Sequence, residues 1–273
     1  MQLSLSARIA ESQTNKEVLT IPFPQVVRLA RDIGYSAICL RASVASVTSP
    51  PEQVAQVRRL LDDAGLAVSM VTGDVALAAN DAGAVAALRN ITPYLDLAAA
   101  FDTTRIRVML QTEADIPFAQ RAADEANERG ILLCHQTHQR TLFETIEESL
   151  DIVRRVNRRN FGITYEPGNL LICGDDYGAA AIHHLGANIF NVYLQSFWVH
   201  PEGTDRQPTN HGIVLATPVP LGDPRGVHLD RIFDGLWEIG YDGWVTVHSA
   251  MVAGMTVEES ARRYYDVLAP YLR

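Results

Sequence analysis

The chain has 273 residues, 47% of them hydrophobic, and a formal net charge of −9. That is an ordinary globular composition, long enough for one large α/β barrel or two small domains. The acidic balance argues against nucleic-acid binding, which calls for basic patches, and fits a protein acting on a neutral or weakly charged small molecule.

No apolar run reaches membrane-spanning length, and the first residues lack a basic stretch followed by an apolar signal core. The expectation is therefore a cytoplasmic protein with no membrane partner. Three widely spaced cysteines, Cys39, Cys134 and Cys173, make neither a disulfide framework nor a zinc knuckle. Composition leaves the oligomeric state open, a homo-oligomer included.

In chain order, residues 1–7 (MQLSLSA) alternate as a first strand. A helix over 23–33 ends at Gly34, and 36–41 (SAICLR) is a second strand. Ser49-Pro50-Pro51 opens a helix that runs to Ala64 and stops at Gly65, before a third strand over 66–72. An alanine-rich helix spans 81–101, a fourth strand 105–110 (RIRVML), and a helix 116–129 ends at Gly130. Residues 131–136 form strand five, 142–156 a helix with Leu142, Ile146, Leu150 and Val153 at helical spacing, and 161–165 strand six. A short helix over 177–185 precedes strand seven, 189–195 (IFNVYLQ). A proline- and glycine-rich irregular segment covers 196–225, followed by a helix over 229–239, strand eight over 244–248 (WVTVH) and a last helix over 257–268. Eight strands alternating with eight helices at this length predict a single-domain (β/α)8 TIM barrel. A doubly wound sheet is disfavoured because no glycine-rich phosphate loop follows the first strand.

Barrel sites form at the carboxyl ends of the strands. There the sequence offers Cys39 and Arg41 on strand two, Gln136 and His138 on strand five, and Glu166 on strand six. Strand seven offers Asn191, Tyr193 and Gln195, and strand eight offers His248. Period-two alternation turns Cys134, Gln136 and His138 to one face, and Thr164 with Glu166 likewise. Each has a bland counterpart: Arg41 balancing a carboxylate, Asn191 and Tyr193 as bonded wall residues, a histidine satisfied in the core. Two histidines near a glutamate favour function over that reading, because clusters of titratable groups mark sites. They also lead to the expectation of an ionisation between about pH 5 and 8. Trp198, His200 and His211 lie on the long segment after strand seven and could cover a sugar ring; the bland counterpart for Trp198 is a plug of the barrel mouth.

Several segments then carry a resemblance: GYSAICLR, GILLCHQTHQRTLFET, NFGITYEPGNLL, NVYLQS and LGDPRGVHLDRIFDGLWEIGYDGWVTVH, in this order and spacing. The chain resembles the xylose isomerase-like TIM barrel superfamily, which includes sugar isomerases, sugar 3-epimerases, inosose dehydratases and endonuclease IV. The resemblance implies one divalent metal held by Glu, Asp, His and Glu. At those four positions stand Gln136 (in Gln136-Thr137-His138), Glu166 (in Glu166-Pro167-Gly168-Asn169), Tyr193 and His248. Only one carboxylate remains, so the charge deficit favours weak or absent metal. Were one bound, Glu166, His248 and His138 would make a two-His, one-carboxylate site that prefers Mn or another transition metal to Mg.

The activity implied is a sugar isomerase or epimerase that moves a proton beside a carbonyl. Glu166, His138 and His248 are its catalytic candidates. Arg41, Gln136, Asn191, Tyr193, Gln195, Trp198 and His200 are the candidates for binding a sugar-like small molecule. A lyase such as a dehydratase, or a sugar-binding barrel without catalysis, are the alternatives.

Overall fold

Side-chain alternation along eight short parallel strands decides the architecture. In the computed structural model, which describes residues 1–12 and 14–272, these strands close into a barrel. They are β1 (Gln2–Ser6), β2 (Ala37–Leu40), β3 (Ala67–Val71), β4 (Arg105–Val108), β5 (Leu132–Gln136), β6 (Phe161–Tyr165), β7 (Ile189–Leu194) and, after three strands outside the barrel, β11 (Trp244–Val247). Each pairs in parallel with its sequence neighbour, and β1 closes the ring on β11 with Gln2 opposite Trp244 and Leu5 opposite Val247.

The alternation divides the core in two. Leu133, Phe161, Ile163, Val192, Val245 and Val247 belong to the large apolar layer packed under the helices. The residues between them form a different interior. Cys39, Met70, Cys134 and Tyr193 pack as a small separate cluster, while Ser4 and Ser69 share a 2.6 Å hydrogen bond nearby in the sequence of inward positions.

The helices are α1 (Phe23–Ile33), α2 (Pro51–Ala64), α3 (Val75–Ala79), α4 (Ala86–Arg89), α5 (Thr92–Ala100) and α6 (Ile116–Glu128). They continue as α7 (Ile146–Val156), α8 (Pro167–Cys173), α9 (Ala179–Leu185), α10 (Leu229–Glu238) and α11 (Val257–Leu268). Gly34 ends α1 at φ 115°, where its N–H reaches the carbonyls of Ala30 and Arg31; few L side chains adopt that backbone. Among the described residues no helix is long and apolar enough to cross a membrane.

The sequence-based boundaries need four corrections. The helix expected over 142–156 starts at Ile146, because Thr145 forms a capping box with Glu148 that is worth about 1 kcal/mol. Residues 142–145 stay in the loop, where Phe143 stacks on the outward-facing His135 with ring centroids 3.7 Å apart. The expected helix over 81–101 is broken into a 3-10 turn, α4 and α5, with Pro93 at the start of α5. The irregular stretch over 196–225 contains an antiparallel sheet of β8 (Phe197–Val199), β9 (Asp205–Thr209) and β10 (Gly212–Pro218), with β10 in the middle. Finally α3 and α8, both short, stand in segments to which the sequence assigned no element.

Candidate active site

Glu166 follows the last residue of β6 and is fully buried. The residue just beyond β5 holds its backbone. Thr137 Oγ1 accepts the Glu166 N–H at 2.9 Å and donates to the Glu166 carbonyl at 3.2 Å. Asn169, in the first turn of α8, donates to the Thr137 carbonyl at 2.9 Å. The chain just beyond β5 is thus stitched to the chain just beyond β6, and the carboxyl cannot wander. Its two oxygens are each covered by an amide: Gln136 Nε2 donates to Oε2 and Gln195 Nε2 to Oε1. Gln195 Nε2 also lies 3.4 Å from Asn169 Oδ1. Gln136 Oε1 is buried without a partner.

Above these amides opens a cavity of about 740 Å³, bordered by Gln136, His138, Asn169, Gln195 and His248 and, from β1's end and the following loop, Arg8, Glu11 and Lys16. The volume lies within the range of about 300–1,000 Å³ usual for small-molecule sites. Glu166 itself is beneath the cavity floor, screened by Gln136 and Gln195.

Electrostatics beneath the floor run opposite to the chain as a whole. Arg41 and Arg107 are almost wholly enclosed, at 0% and 2% exposure. Arg41 Nε pairs with Glu11 at 2.7 Å, and its Nη2 donates to the Ala78 carbonyl at 3.1 Å. Ser43 also donates to Glu11, at 2.8 Å. Arg107 Nη2 donates to Asn80 Oδ1, and Lys16 Nζ to the Ala78 carbonyl at 3.3 Å.

Burial raises Glu166 from the ordinary 4.5 to about 8, against the opposing pull of Arg107 and Arg8. Burial, followed by the repulsion of Arg8, Arg41 and Arg107, lowers Lys16 to about 8. Burial, backed by the charge of Arg107, lowers His138 to about 3. His248 falls well below its usual value for the same first reason, with Arg41 and Arg8 adding to it. Both imidazoles are therefore neutral at physiological pH. In place of the ionisation expected of the histidines between about pH 5 and 8, the groups brought to about 8, at the top of that range, are Glu166 and Lys16, because burial and then the neighbouring cations keep the rings neutral.

The structure gathers some of the predicted residues and separates others. Gln136, Gln195, His138 and His248 border the cavity together. Tyr193 lies deeper, its hydroxyl 3.2 Å from Cys39 Sγ and its ring stacked under His248 at 3.9 Å between centroids. Asn191 is fully buried, and neither its amide nitrogen nor its oxygen has a partner. Arg41 stands behind Glu11. Trp198 and His200 stack on each other at 3.6 Å, with the Arg225 guanidinium 4.8 Å from the Trp198 ring, and neither borders the cavity. In the same strand, Phe197 does. His211 is exposed at the turn between β9 and β10.

Arg8, Glu11, Lys16 and Arg107 escaped the sequence reading. For Arg107 the signal was present: in RIRVML the apolar Ile106 and Val108 face the helices, so Arg107 faces in. Arg8 directly follows the first strand and could have been found by its position. Nothing in the local pattern marks Glu11 or Lys16.

The family's divalent metal can be tested against these donors. The carboxylate oxygens of Glu166 each face an amide N–H₂, where a cation would have to stand. His138 Nδ1 is turned to the Gln139 carbonyl at 2.8 Å. Tyr193 is engaged with Cys39, and three arginines lie close enough to act on Glu166. Among the described residues no three His, Cys, Asp or Glu side chains stand as a group that could hold an ion. The expected set of Glu166, His138 and His248 is not assembled as a metal site, because the positive charge next to Glu166 comes from guanidinium groups. The residues do not fit the metal.

These features define a class: a (β/α)8 barrel with a polar, cation-backed cavity at the carboxyl ends of its strands. Residues 27–266 match the xylose isomerase-like TIM barrel family, and the chain belongs to it. Among curated proteins no sequence relative matches. Similar solved structures include one titled the "probable 3-DHS dehydratase AsbF involved in the petrobactin synthesis" of Bacillus anthracis, at TM-score 0.73 and 17% identity, covering 98% of this chain and 99% of that one. A D-psicose 3-epimerase solved in the presence of D-fructose gives TM-score 0.72 and 16% identity, over 100% and 99% of the two chains. A xylose isomerase-like TIM barrel protein of Mycobacterium smegmatis, in complex with magnesium, gives 0.69 and 16%, over 100% and 98%. At such identities the likeness is one of fold.

Proposed function

We propose that this protein is an isomerase or epimerase of a sugar-like carbonyl compound, with Glu166 carrying the proton. One observation carries the reading: a buried carboxyl raised to about 8 lies directly beneath a polar cavity at the barrel mouth. A base of that strength suits removal of a weakly acidic C–H proton near neutral pH. The carboxylate takes the proton from the carbon beside the carbonyl. The C–H electron pair becomes a C=C bond, and the carbonyl π pair moves onto oxygen. Return of the proton to the former carbonyl carbon, while the hydroxyl on the first carbon passes its proton to the enolate oxygen and becomes the new carbonyl, isomerises the substrate; a proton delivered by a second acid, such as the Lys16 ammonium, to the opposite face of the first carbon epimerises it. The oxygen charge is offset by Arg8 or Lys16 and by a hydrogen bond from the neutral imidazole of His248, all bordering the same cavity, whereas His138 gives its one N–H to the Gln139 carbonyl and presents only an acceptor nitrogen. Reaching Glu166 requires one amide to swing aside. Gln195, the less buried of the two, already has Asn169 Oδ1 within 3.4 Å as its alternative partner.

A lyase on a related substrate is the second reading, favoured by the fact that Glu166 is protonated below about pH 8 and so could give a proton to a departing hydroxyl. The two readings differ in sign. Turnover that needs ionised Glu166 rises as the pH passes through about 8; turnover that needs its protonated form falls. Proton NMR in D₂O of aldoses, ketoses and their acid and phosphate derivatives, incubated with the protein from pH 6 to pH 9, tests both. Solvent deuterium at the carbon beside the carbonyl, with isomer or epimer as product, is the result expected. An unsaturated or deoxy product selects the lyase. Ligand binding with neither exchange nor product refutes catalysis and leaves a sugar-binding barrel.

A further inference from the structure

Three of the four cationic side chains around the cavity have no anionic partner. Among the described residues the only ion pair in this group is Arg41 with Glu11; Arg8, Lys16 and Arg107 form none. Arg8 Nε, Arg41 Nη1 and Arg107 Nε are buried without any hydrogen-bond partner. Unpaired charge and unpaired donors are both costly in a protein interior, and they persist where a ligand or a function offsets them. Nearby carboxyls do not restore the balance. Glu11 is bound by Arg41 and Ser43, Asp205 is half-exposed on β9, and burial holds Glu166 protonated at neutral pH. A net charge of −9 on the whole chain makes this local excess of positive charge the more pointed.

We infer that the ligand of this cavity carries an oxyanion, a carboxylate or a phosphate, which binds against Arg8 and Lys16 with Arg41 and Arg107 reinforcing the field from behind. The inference rests on the reading that this cavity is the active site. It narrows the substrate class from neutral sugars to acidic or phosphorylated sugar derivatives. Arg8 is suited to the contact, since it borders the cavity and its Nε–H is uncommitted; a guanidinium meets either anion with paired N–H donors. Lys16 adds a point charge at the same wall, and neither residue is tied to a carboxylate that would have to be displaced first.

The test is calorimetric titration of the full chain with D-glucuronate, D-fructose 6-phosphate and D-fructose, with deuterium exchange measured on the same three. At least one anionic probe should bind tenfold or more tightly than D-fructose, and the gap should narrow as salt rises. Preference between glucuronate and the phosphate tells the carboxylate from the phosphoryl ligand. Arg8→Gln should remove the preference, and Arg8→Lys should retain part of it. Should Arg8→Gln fail to fold, Lys16→Gln, on the loop after β1, should lower anion affinity by a smaller factor in the same direction. Failure of both anions to bind more tightly than D-fructose overturns the inference, as does an anion preference that survives both neutralising variants. Exchange on D-fructose without anion preference overturns it yet keeps the isomerase reading. Tight anion binding with no exchange on any probe does the reverse.

Discussion

Replacing Glu166 by glutamine should abolish turnover and, at alkaline pH, make the protein more stable. The carboxyl ionises near 4.5 ordinarily and near 8 in the fold. Below about 4.5 it is protonated in both states and costs nothing. As the pH rises from there, the unfolded chain releases the proton and the folded chain keeps it, so stability falls until the folded group also ionises at about 8. At 1.36 kcal/mol per pH unit the full gap is an upper bound of about 5 kcal/mol, of which about 4 develops between pH 5 and pH 9. Glutamine has the same shape and no charge. It needs one acceptor for its own amide, and Gln136 can turn its unpartnered Oε1 to supply it. For a chain of this size a gain of about 2–4 kcal/mol raises the unfolding midpoint by roughly 5–15 °C. Thermal unfolding followed by circular dichroism, wild type against Glu166→Gln at pH 5 and pH 9, measures it. The variant should gain at pH 9 relative to pH 5. An equal difference at the two pH values would refute the raised ionisation, and normal turnover by the variant would refute the assignment of Glu166.

Three further outcomes follow from the same geometry. Glu11→Ala leaves Arg41 as a buried unpaired charge and should cost about 3–5 kcal/mol in urea unfolding, with Glu11→Gln recovering part of it. Gly168→Ala brings a Cβ within 2.7 Å of the Gln195 carbonyl oxygen, so it should displace the amide over Glu166; kcat should fall by about tenfold or more, an activation cost of about 1.4 kcal/mol, with a change in unfolding midpoint of only a few degrees. Because the donor set does not suit a hard cation, Mg should bind with a dissociation constant above roughly 1 µM, weaker than about −8 kcal/mol, and a chelator should leave both turnover and the unfolding midpoint unchanged.

Much of the barrel was legible in the sequence because its information is local. A strand buried on both faces still alternates, so the inward phase of Gln136, Glu166, Tyr193 and His248 could be read residue by residue, and the loss of three of four metal-ligand types needed only the residue names. Where local signals compete, boundaries moved: Thr145 capped a helix that apolar spacing extended to Leu142, and Pro93 began a new one inside an alanine-rich run. The sheet of β8, β9 and β10 stayed hidden because β8 has only three residues, β9 is polar and contains Pro208, and their stability comes from pairing across the loop. That pairing also decided that Phe197, and not Trp198, borders the cavity. Only the tertiary structure brought Arg8, Arg41 and Arg107 around one carboxyl, with Lys16 close to the same arginines, since they come from the turn after β1, β2's end, β4 and, for Lys16, the loop after β1. Charge balance and ionisation are properties of that three-dimensional neighbourhood. A chain whose sum is −9 can hold a site of opposite sign, because desolvation and Coulomb forces act over a few ångströms and take no account of the total.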